Sequence, residues 1–321
     1  MPFQILSLSG GGYLGYYTAS VIAGLEKQAG RPLAQCFDLM GGTSVGGIIA
    51  LCLAQEVPAE QIREAFEKHG TRIFSGRPKS HGIVDTLGEI ARSAFAPSHN
   101  ARALRSTIGD LLGPSLRLGD LKHSVLISSV DLTSGEARLF ESYNDEDKAL
   151  NAVDVAMATS AVPTFFPMVR IGKGLYADGG LFANAPDLQA VHAAQYRRTV
   201  PARQLRVLSV GTASSHFPLS KSREKLGAID WMTDEHLMRI AMSAQQSSVE
   251  TMLREQFGDH YLRIDARQSP AQRKVLGLTV ATKEATRMLG DLARQSVKEV
   301  GDDARLIRML RHKAGGRLSR K

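Results

Sequence analysis

The stretch that decides the fold is residues 37–55, FDLMGGTSVGGIIALCLAQ, where a short apolar run leads into a glycine-rich turn and then into a second apolar run. We predict a strand at residues 37–40, a sharp turn at residues 41–47 and a helix at residues 48–55. A strand, a glycine turn and a helix in succession are typical of parallel α/β sheets. The stretch therefore predicts an α/β protein.

The same unit opens the chain. Residues 3–12, FQILSLSGGG, combine a short apolar strand with three glycines, and apolar residues at helical spacing follow as far as Gly30. Residues 125–130 and 205–210 are further apolar runs that predict strands, the second of them buried on both faces. We therefore expect a mostly parallel central sheet.

Ser44 lies at the centre of a G-x-S-x-G motif that runs from Gly42 to Gly46. A nucleophilic serine has to project from a cramped strand-to-helix turn, where a Cβ on either flanking residue would collide with the neighbouring backbone. The helix after the turn directs its N-terminal amides towards the reacting centre, where negative charge develops. The motif indicates a catalytic serine, and a purely structural glycine turn is the alternative.

Gly10, Gly11 and Gly12 end the first predicted strand. In a parallel sheet this loop would lie beside the Ser44 turn. Three successive residues without side chains leave backbone N–H groups open to a ligand oxygen. The loop therefore predicts an oxyanion hole.

A dinucleotide-binding protein is a second interpretation of the same glycines. Gly10, Gly12 and Gly15 satisfy G-x-G-x-x-G after a strand, and Asp38 stands near the position of a ribose-binding acid. A Rossmann-like protein of this kind would give Ser44 no role.

Asp178 follows a short apolar run and precedes Gly179 and Gly180. A carboxylate in a partly desolvated pocket can have its pKa raised enough to serve as the base that the serine needs. Histidine is the usual base, and His192 and His216 follow Asp178 in the chain order of a Ser-His-Asp esterase. Neither histidine stands in a motif, so the triad remains an alternative.

The composition limits the class of protein and the partners that we expect. The chain has 321 residues, of which 43% are hydrophobic and 22% charged, and these are globular proportions. Its net charge of +8 favours an anionic partner, and without an aromatic-basic motif we expect no nucleic acid. The only cysteines are Cys36 and Cys52, too few for a disulfide framework, which predicts a reducing cytoplasmic compartment. Because no histidines cluster near them, we expect no metal, and we also expect no cofactor. The N-terminus lacks the basic region of a signal peptide.

We divide the chain into a catalytic core at residues 1–212 and a mostly helical C-terminal part of the same domain at residues 213–321. Residues 69–100 interrupt the α/β pattern with scattered glycines and prolines, which predicts an irregular insertion. Basic side chains accumulate from about residue 305, and residues 315–321 predict a solvated basic tail.

Several motifs, in family order, resemble those of patatin-like phospholipases: Leu6 to Gly12, Gly42 to Gly47, Ala158 to Phe166, Asp178 to Pro186 and Leu208 to Thr212. The resemblance implies a three-layer α/β/α fold with a mostly parallel central sheet. It also implies a Ser–Asp dyad, in which Ser44 attacks an acyl ester of a membrane glycerophospholipid and Asp178 takes its proton. Gly10, Gly11 and Gly12 would cradle the oxyanion, and Gly42, Gly46, Gly179 and Gly180 would support the motifs.

Two positions depart from the family pattern. Leu14 stands where the family usually has Arg or Lys, and Ala185 stands where it usually has Asn. The first departure removes a charge beside the oxyanion loop. The nucleophile and the base are unaffected.

A narrower resemblance is to the effectors of cyclic-oligonucleotide-based antiphage signalling, which degrade the membrane of their own cell. It implies a cyclic nucleotide activator, a homo-oligomer, and a cytoplasmic protein that meets the inner membrane peripherally when active.

Overall fold

The computed structural model describes residues 2–74, 99–214, 236–316 and 318. Within these residues eight strands form one mixed, mostly parallel sheet with helices on both sides, so the expected three-layer α/β/α fold is confirmed. The strands are β1 Phe3–Leu8, β2 Leu39–Thr43, β3 Val125–Asp131, β4 Glu136–Glu141, β5 Val169–Ile171, β6 Gly174–Asp178, β7 Leu205–Val210 and β8 Tyr261–Ile264.

The strand order is β5-β6-β3-β2-β1-β7-β8, and β4 pairs with β3. The strands β3, β2, β1, β7 and β8 run parallel, whereas β4, β5 and β6 are antiparallel to their neighbours. The α-helices of the described residues are α1 Gly15–Ala29, α2 Val45–Ala54, α3 Ala59–Ile73, α4 Ala101–Leu112, α5 Ala152–Thr159, α6 Asp187–His192, α7 His236–Phe257, α8 Gln272–Val275, α9 Lys283–Val300 and α10 Ala304–Arg311.

The side chains of the central strands alternate between two apolar cores, one on each face of the sheet. In β1, Leu6 and Leu8 belong to the larger core, which includes residues of α1, α2 and α5, while Ile5 faces a second core with Val191 of α6 and Leu253 of α7. Successive side chains of a strand point to opposite faces, so both faces of the sheet are covered. This burial explains why the central strands are mostly apolar.

The pairing along β3 brings two strand ends together. β4 pairs with one edge of β3, and both β2 and β6 pair with the other edge. The last residue of β2, Thr43, lies opposite Ser128, and the last residue of β6, Asp178, lies opposite Ser129. The two strands therefore approach from opposite directions and end at adjacent positions, which places Asp178 beside the turn that carries Ser44.

The strand at residues 37–40 was predicted too early in the chain. β2 runs from Leu39 to Thr43, so two glycines of the predicted turn, Gly41 and Gly42, lie in the strand, and the helix begins at Val45. The shift has a steric reason, because α2 packs directly on this part of the strand and a side chain at Gly42 would meet it.

The predicted insertion at residues 69–100 lies mostly outside the described residues. Its first residues, up to Ile73, belong to α3.

The segment before the predicted solvated tail packs on the protein, while Gly315 and Gly316 of the tail itself are exposed and residues 317 and 319–321 lie outside the described residues. Leu306, Met309 and Leu310 of α10 are buried in the larger core, and the N–H of Gly315 donates to Asp38 Oδ1 at 2.7 Å. Apolar residues interleaved with the basic ones on α10 hold this segment against the sheet.

The C-terminal part packs on the same sheet as the N-terminal part. β8 pairs with β7, the N–H of Tyr13 donates to the carbonyl of Leu278 at 2.7 Å, and Tyr17 donates to Ser296 Oγ at 2.8 Å. Among the described residues, no helix combines the length and the apolar character that crossing a membrane requires.

Candidate active site

Ser44 occupies a strained turn between β2 and α2. Its backbone has φ 53° and ψ −126°, which residues other than glycine rarely adopt, and it occupies the N-cap position of α2 without a capping bond from its side chain. The Ser44 N–H donates to Thr159 Oγ1 at 2.8 Å, and the Thr159 hydroxyl donates to the carbonyl of Ser128 at 2.6 Å. The turn is thus fixed by a side chain from α5 and by β3.

Both glycines of the serine motif are required by close approach. A Cβ at Gly42 would lie 2.5 Å from the carbonyl oxygen of Gly46, and a Cβ at Gly46 would lie 2.2 Å from the carbonyl oxygen of Leu8. Neither backbone neighbour can move without displacing a strand or a helix. The structure therefore gives a steric reason for the motif.

Asp178 ends β6 and is almost completely buried. Its Oδ1 accepts the Gly180 N–H at 2.6 Å, and its Oδ2 has no hydrogen-bond partner among the described residues. Burial raises the pKa of the Asp178 carboxyl to about 7, although the Ser44 hydroxyl and the Gly180 N–H act in the opposite direction. A carboxylate with a pKa near neutrality and a free oxygen is suited to accept a proton.

The glycine loop lies against the serine. A Cβ at Gly10 would come within 3.2 Å of Ser44 Cβ. The Gly10 N–H already donates to the carbonyl of Asn184 at 2.9 Å, so it is not available to a ligand oxygen. In the described part of the chain, the N–H groups of Gly11 and Gly12 donate no hydrogen bond.

Two polar residues that the sequence did not single out hold the loop in place. Asn184 Nδ2 and Thr212 Oγ1 both donate to the carbonyl of Gly10, at 3.3 Å and 3.1 Å. Both residues stand inside motifs that carried the family resemblance, and this was the one signal that could have identified them. Gln245 had no such signal; its Oε1 accepts the N–H of Asn184 at 3.1 Å.

A cleft that is partly open to solvent begins at Ser44 and Asp178. It is apolar beyond this point and runs between α3, α4 and the segment after α5. Its apolar lining includes Ile48, Ile62, Phe66, Leu104, Ile108, Leu111, Phe165 and Phe166. A single long acyl chain matches this chemistry, because burial of its methylene groups is favourable.

Residues 6–191 match the model of the patatin-like phospholipase family. The chain belongs to the patatin-like phospholipase family. It is 36% identical over 301 residues to a cGAMP-activated phospholipase of Pseudomonas aeruginosa, which covers 90% of this chain and 86% of the relative. It is 34% identical over 288 residues to a cGAMP-activated phospholipase of Vibrio cholerae, covering 82% and 81%. Among solved structures it is similar to VipD from Legionella pneumophila, with a TM-score of 0.42, 12% identity, and coverage of 92% and 67%.

The family assignment confirms that this patatin-like phospholipase is a lipid acyl hydrolase. The dinucleotide-binding alternative was wrong. Asp38 precedes β2 and lies at the amino-terminal edge of the sheet, opposite to the glycine loop. Its carboxylate accepts the N–H of Gln4 at 2.8 Å and contacts His312 Nε2 at 3.0 Å, so it is part of the anchor for the C-terminal segment.

The Ser-His-Asp alternative finds no support in the described residues. His192 is exposed at the end of α6, where its ring stacks on Tyr196 with centroids 4.8 Å apart. His99 packs against Phe165 and Phe166 but does not line the cleft of this patatin-like phospholipase. His216 lies outside the described residues.

The departures at Leu14 and Ala185 are both accommodated inside the molecule. Leu14 is buried in the larger core, and its N–H donates to the carbonyl of Gly11 at 3.1 Å. Ala185 is buried as well. In this patatin-like phospholipase the glycine loop is therefore held by backbone bonds and by the side chains of Asn184 and Thr212, without a basic side chain at position 14.

Proposed function

We propose that this protein hydrolyses acyl esters of membrane glycerophospholipids with a dyad of Ser44 and Asp178, and that a cyclic nucleotide activates it. The observation that carries the chemistry is the meeting of a strained serine and a buried carboxylate with a free oxygen at the head of an apolar cleft. A serine hydroxyl is a weak nucleophile unless a base is within reach. Asp178 is the titratable side chain that lines the cleft in the described part of the chain.

The first half-reaction transfers the acyl group to the serine. Ser44 Oγ forms a bond to the ester carbonyl carbon, its proton passes to Asp178 Oδ2, and the carbonyl electron pair moves onto the oxygen. The N–H groups of Gly11 and Gly12 stabilise this oxyanion, and the N-terminus of α2 adds a favourable dipole. Gly10 does not donate to the oxyanion, because its N–H is bonded to the carbonyl of Asn184. When the intermediate collapses, the ester C–O bond breaks and Asp178 returns its proton to the departing lysophospholipid alcohol.

The second half-reaction releases the fatty acid. Water attacks the acyl carbon and gives a proton to Asp178. The second intermediate then collapses, the bond to Ser44 Oγ breaks, and Ser44 takes back the proton from Asp178. Asp178 thus acts as base and acid in each half-reaction, a task that suits a pKa near 7.

The proposed activator follows from the relatives. The two relatives described above are named cGAMP-activated phospholipases. An enzyme that attacks the membrane of its own cell has to be restrained until it is needed, so we propose cGAMP as the activator in a role in antiviral defence. In this proposal the protein is cytoplasmic, meets the inner membrane peripherally, and changes its self-association on activation. We assign no residues to the activator site.

Hydrolysis of phospholipid vesicles tests the proposal. The wild type should release fatty acid from vesicles only when cGAMP is present, and the same nucleotide should raise the melting temperature of the protein by binding its folded state. Ser44→Ala is the matched control, which should still be stabilised by cGAMP but release nothing. Full activity without any nucleotide would contradict the activation, and full activity of Ser44→Ala would contradict the chemistry.

A further inference from the structure

Six large apolar side chains are exposed in the described residues, and five of them fall into two groups; the sixth, Leu132, directly follows β3. Three of the five line the catalytic cleft or lie within two positions of a lining residue in the chain. Leu181, 39% exposed, lines the cleft itself; Leu237, 58% exposed, directly precedes the lining residue Met238; and Met168, 53% exposed, follows the lining residue Phe166 by two positions.

Two other exposed apolar residues lie at the opposite end of the molecule. Tyr196, 74% exposed, follows α6 as the chain returns towards the amino-terminal edge of the sheet. Met252, 44% exposed, lies near the far end of α7, where the neighbouring Leu253 packs into the second core. These two residues are isolated exposed apolar side chains, which are ordinary on protein surfaces and serve as the comparison for the group near the cleft.

On one side of the cleft the sheet extends beyond the active site, because β3 is longer than β2. β2 ends opposite Ser128, but β3 continues to Asp131, roughly 10 Å further at about 3.3 Å per residue. The extension pairs with β4 and with the β5–β6 hairpin, which projects from the carboxyl edge of the sheet. Met168 leads into this hairpin, and the exposed residues Arg170 and Lys173 lie on it.

The other side of the border is fixed to the catalytic loop. Gln245 of α7 donates to the carbonyl of Leu181 at 3.3 Å and accepts the N–H of Asn184 at 3.1 Å. α7 carries Leu237 at its start, and its next turns contribute Met238 and Met242 to the cleft. Gln245 thus connects α7, which carries Leu237, to the segment that carries Leu181.

We propose that Met168, Leu181 and Leu237 form a membrane-docking surface, which inserts into a phospholipid bilayer around the mouth of the cleft. The proposal rests on the proposed function and names the surface through which it is carried out. A bilayer is the occupant because the apolar border is continuous with a cleft suited to an acyl chain, so a lipid can pass from one apolar medium to the other without crossing water. Arg170 and Lys173 on the adjoining hairpin are suited to the lipid phosphates.

The test measures vesicle binding without hydrolysis. All variants carry Ser44→Ala, and co-flotation with vesicles of phosphatidylethanolamine and phosphatidylglycerol is measured with and without cGAMP. Met168→Ser/Leu237→Ser should lower the binding constant by about tenfold or more, because two inserted apolar side chains are lost. The matched control, Tyr196→Ser/Met252→Ser, removes two exposed apolar side chains of comparable total exposure from the opposite end and should bind as strongly as the parent.

Activity on a soluble short-chain ester provides a second readout in the background that retains Ser44. Met168→Ser/Leu237→Ser should keep this activity and lose vesicle hydrolysis. Equal vesicle binding by the two double variants would overturn the docking surface. Failure of the wild type to hydrolyse any vesicle would instead overturn the proposed function, since the binding measurement does not depend on turnover.

Discussion

Asn184 binds both backbone groups of Gly10: its carbonyl accepts the Gly10 N–H at 2.9 Å, and its side-chain amide donates to the Gly10 carbonyl at 3.3 Å. The loop that the sequence assigns to the oxyanion is therefore clamped by the segment that follows Asp178. Because Asp178 and Asn184 lie six residues apart in one segment, the proposed base and the proposed oxyanion loop are joined by a short stretch of chain.

Replacing Asn184 should disturb catalysis more than binding. Asn184→Ala removes the bond to the Gly10 carbonyl, and a shift of the loop should lower kcat on a soluble ester by roughly tenfold to a hundredfold with little change in KM. Asn144→Ala, in a turn away from the cleft, is the matched control. An unchanged kcat in a folded Asn184→Ala protein would mean that the clamp does not position the loop.

The rate of the enzyme should rise with pH. Burial raises the pKa of the Asp178 carboxyl to about 7, and only the ionised form accepts the serine proton. We expect kcat/KM for a soluble ester to increase through pH 7 and then to level off. Repeating the profile at two temperatures separates a carboxyl from a histidine, because a carboxyl pKa changes little on warming whereas an imidazole pKa falls. A midpoint that falls on warming would contradict the dyad.

The buried carboxyl should also cost stability at high pH. Its folded pKa of about 7 lies above the ordinary value of 3.8, so the folded state binds the proton more tightly than the unfolded state, and the stability this provides is lost as the pH rises from about 4 to about 7. Asp178→Asn removes the dependence. Relative to the wild type, it should gain roughly 2 to 3 kcal/mol of unfolding free energy between pH 5 and pH 8. Denaturant titration measures this, and parallel pH profiles of the two proteins would count against a raised pKa.

The cleft should set the acyl chain length. Ala65 of α3 lines the cleft, and Ala65→Phe would fill part of it. The variant should lose activity on long-chain esters and keep it on an acetate or butyrate ester. Ala244→Phe, on the exposed face of α7, is the control for adding a phenyl ring to a helix. If Ala65→Phe accepted long chains as well as Ala244→Phe does, the cleft would not hold the acyl chain.

The parts of the site that depend on short-range geometry could be predicted from the sequence. Ser44 was identifiable because only glycine fits at positions 42 and 46, and this requirement is visible in the chain itself. The strands before the glycine turns and the helices after them were predictable from their apolar patterns. The boundary of β2 was not, because glycines that usually end a strand continue one here under the packing of α2.

The spatial relations that depend on distant pairing could not be predicted, although the sequence did identify Asp178 as a candidate base. Asp178 reaches the serine because β6 runs antiparallel to β3 and stops one register position beyond Thr43, which no local pattern encodes. The donation from Gly10 to Asn184, and the contacts of Gln245, join segments that are far apart in the chain. Asp38 had the right spacing for a ribose-binding acid and lies at the wrong edge of the sheet, which only the strand register reveals.

The most direct test of the central claim is a double-mutant cycle on Ser44 and Asp178, with kcat/KM measured on a soluble ester. If the two residues act as one unit, Ser44→Ala and Asp178→Asn should each reduce the rate by roughly 10³-fold or more, and the double variant should be no slower than the slower single variant. Near-wild-type activity of Asp178→Asn, or losses that multiply in the double variant, would contradict the dyad.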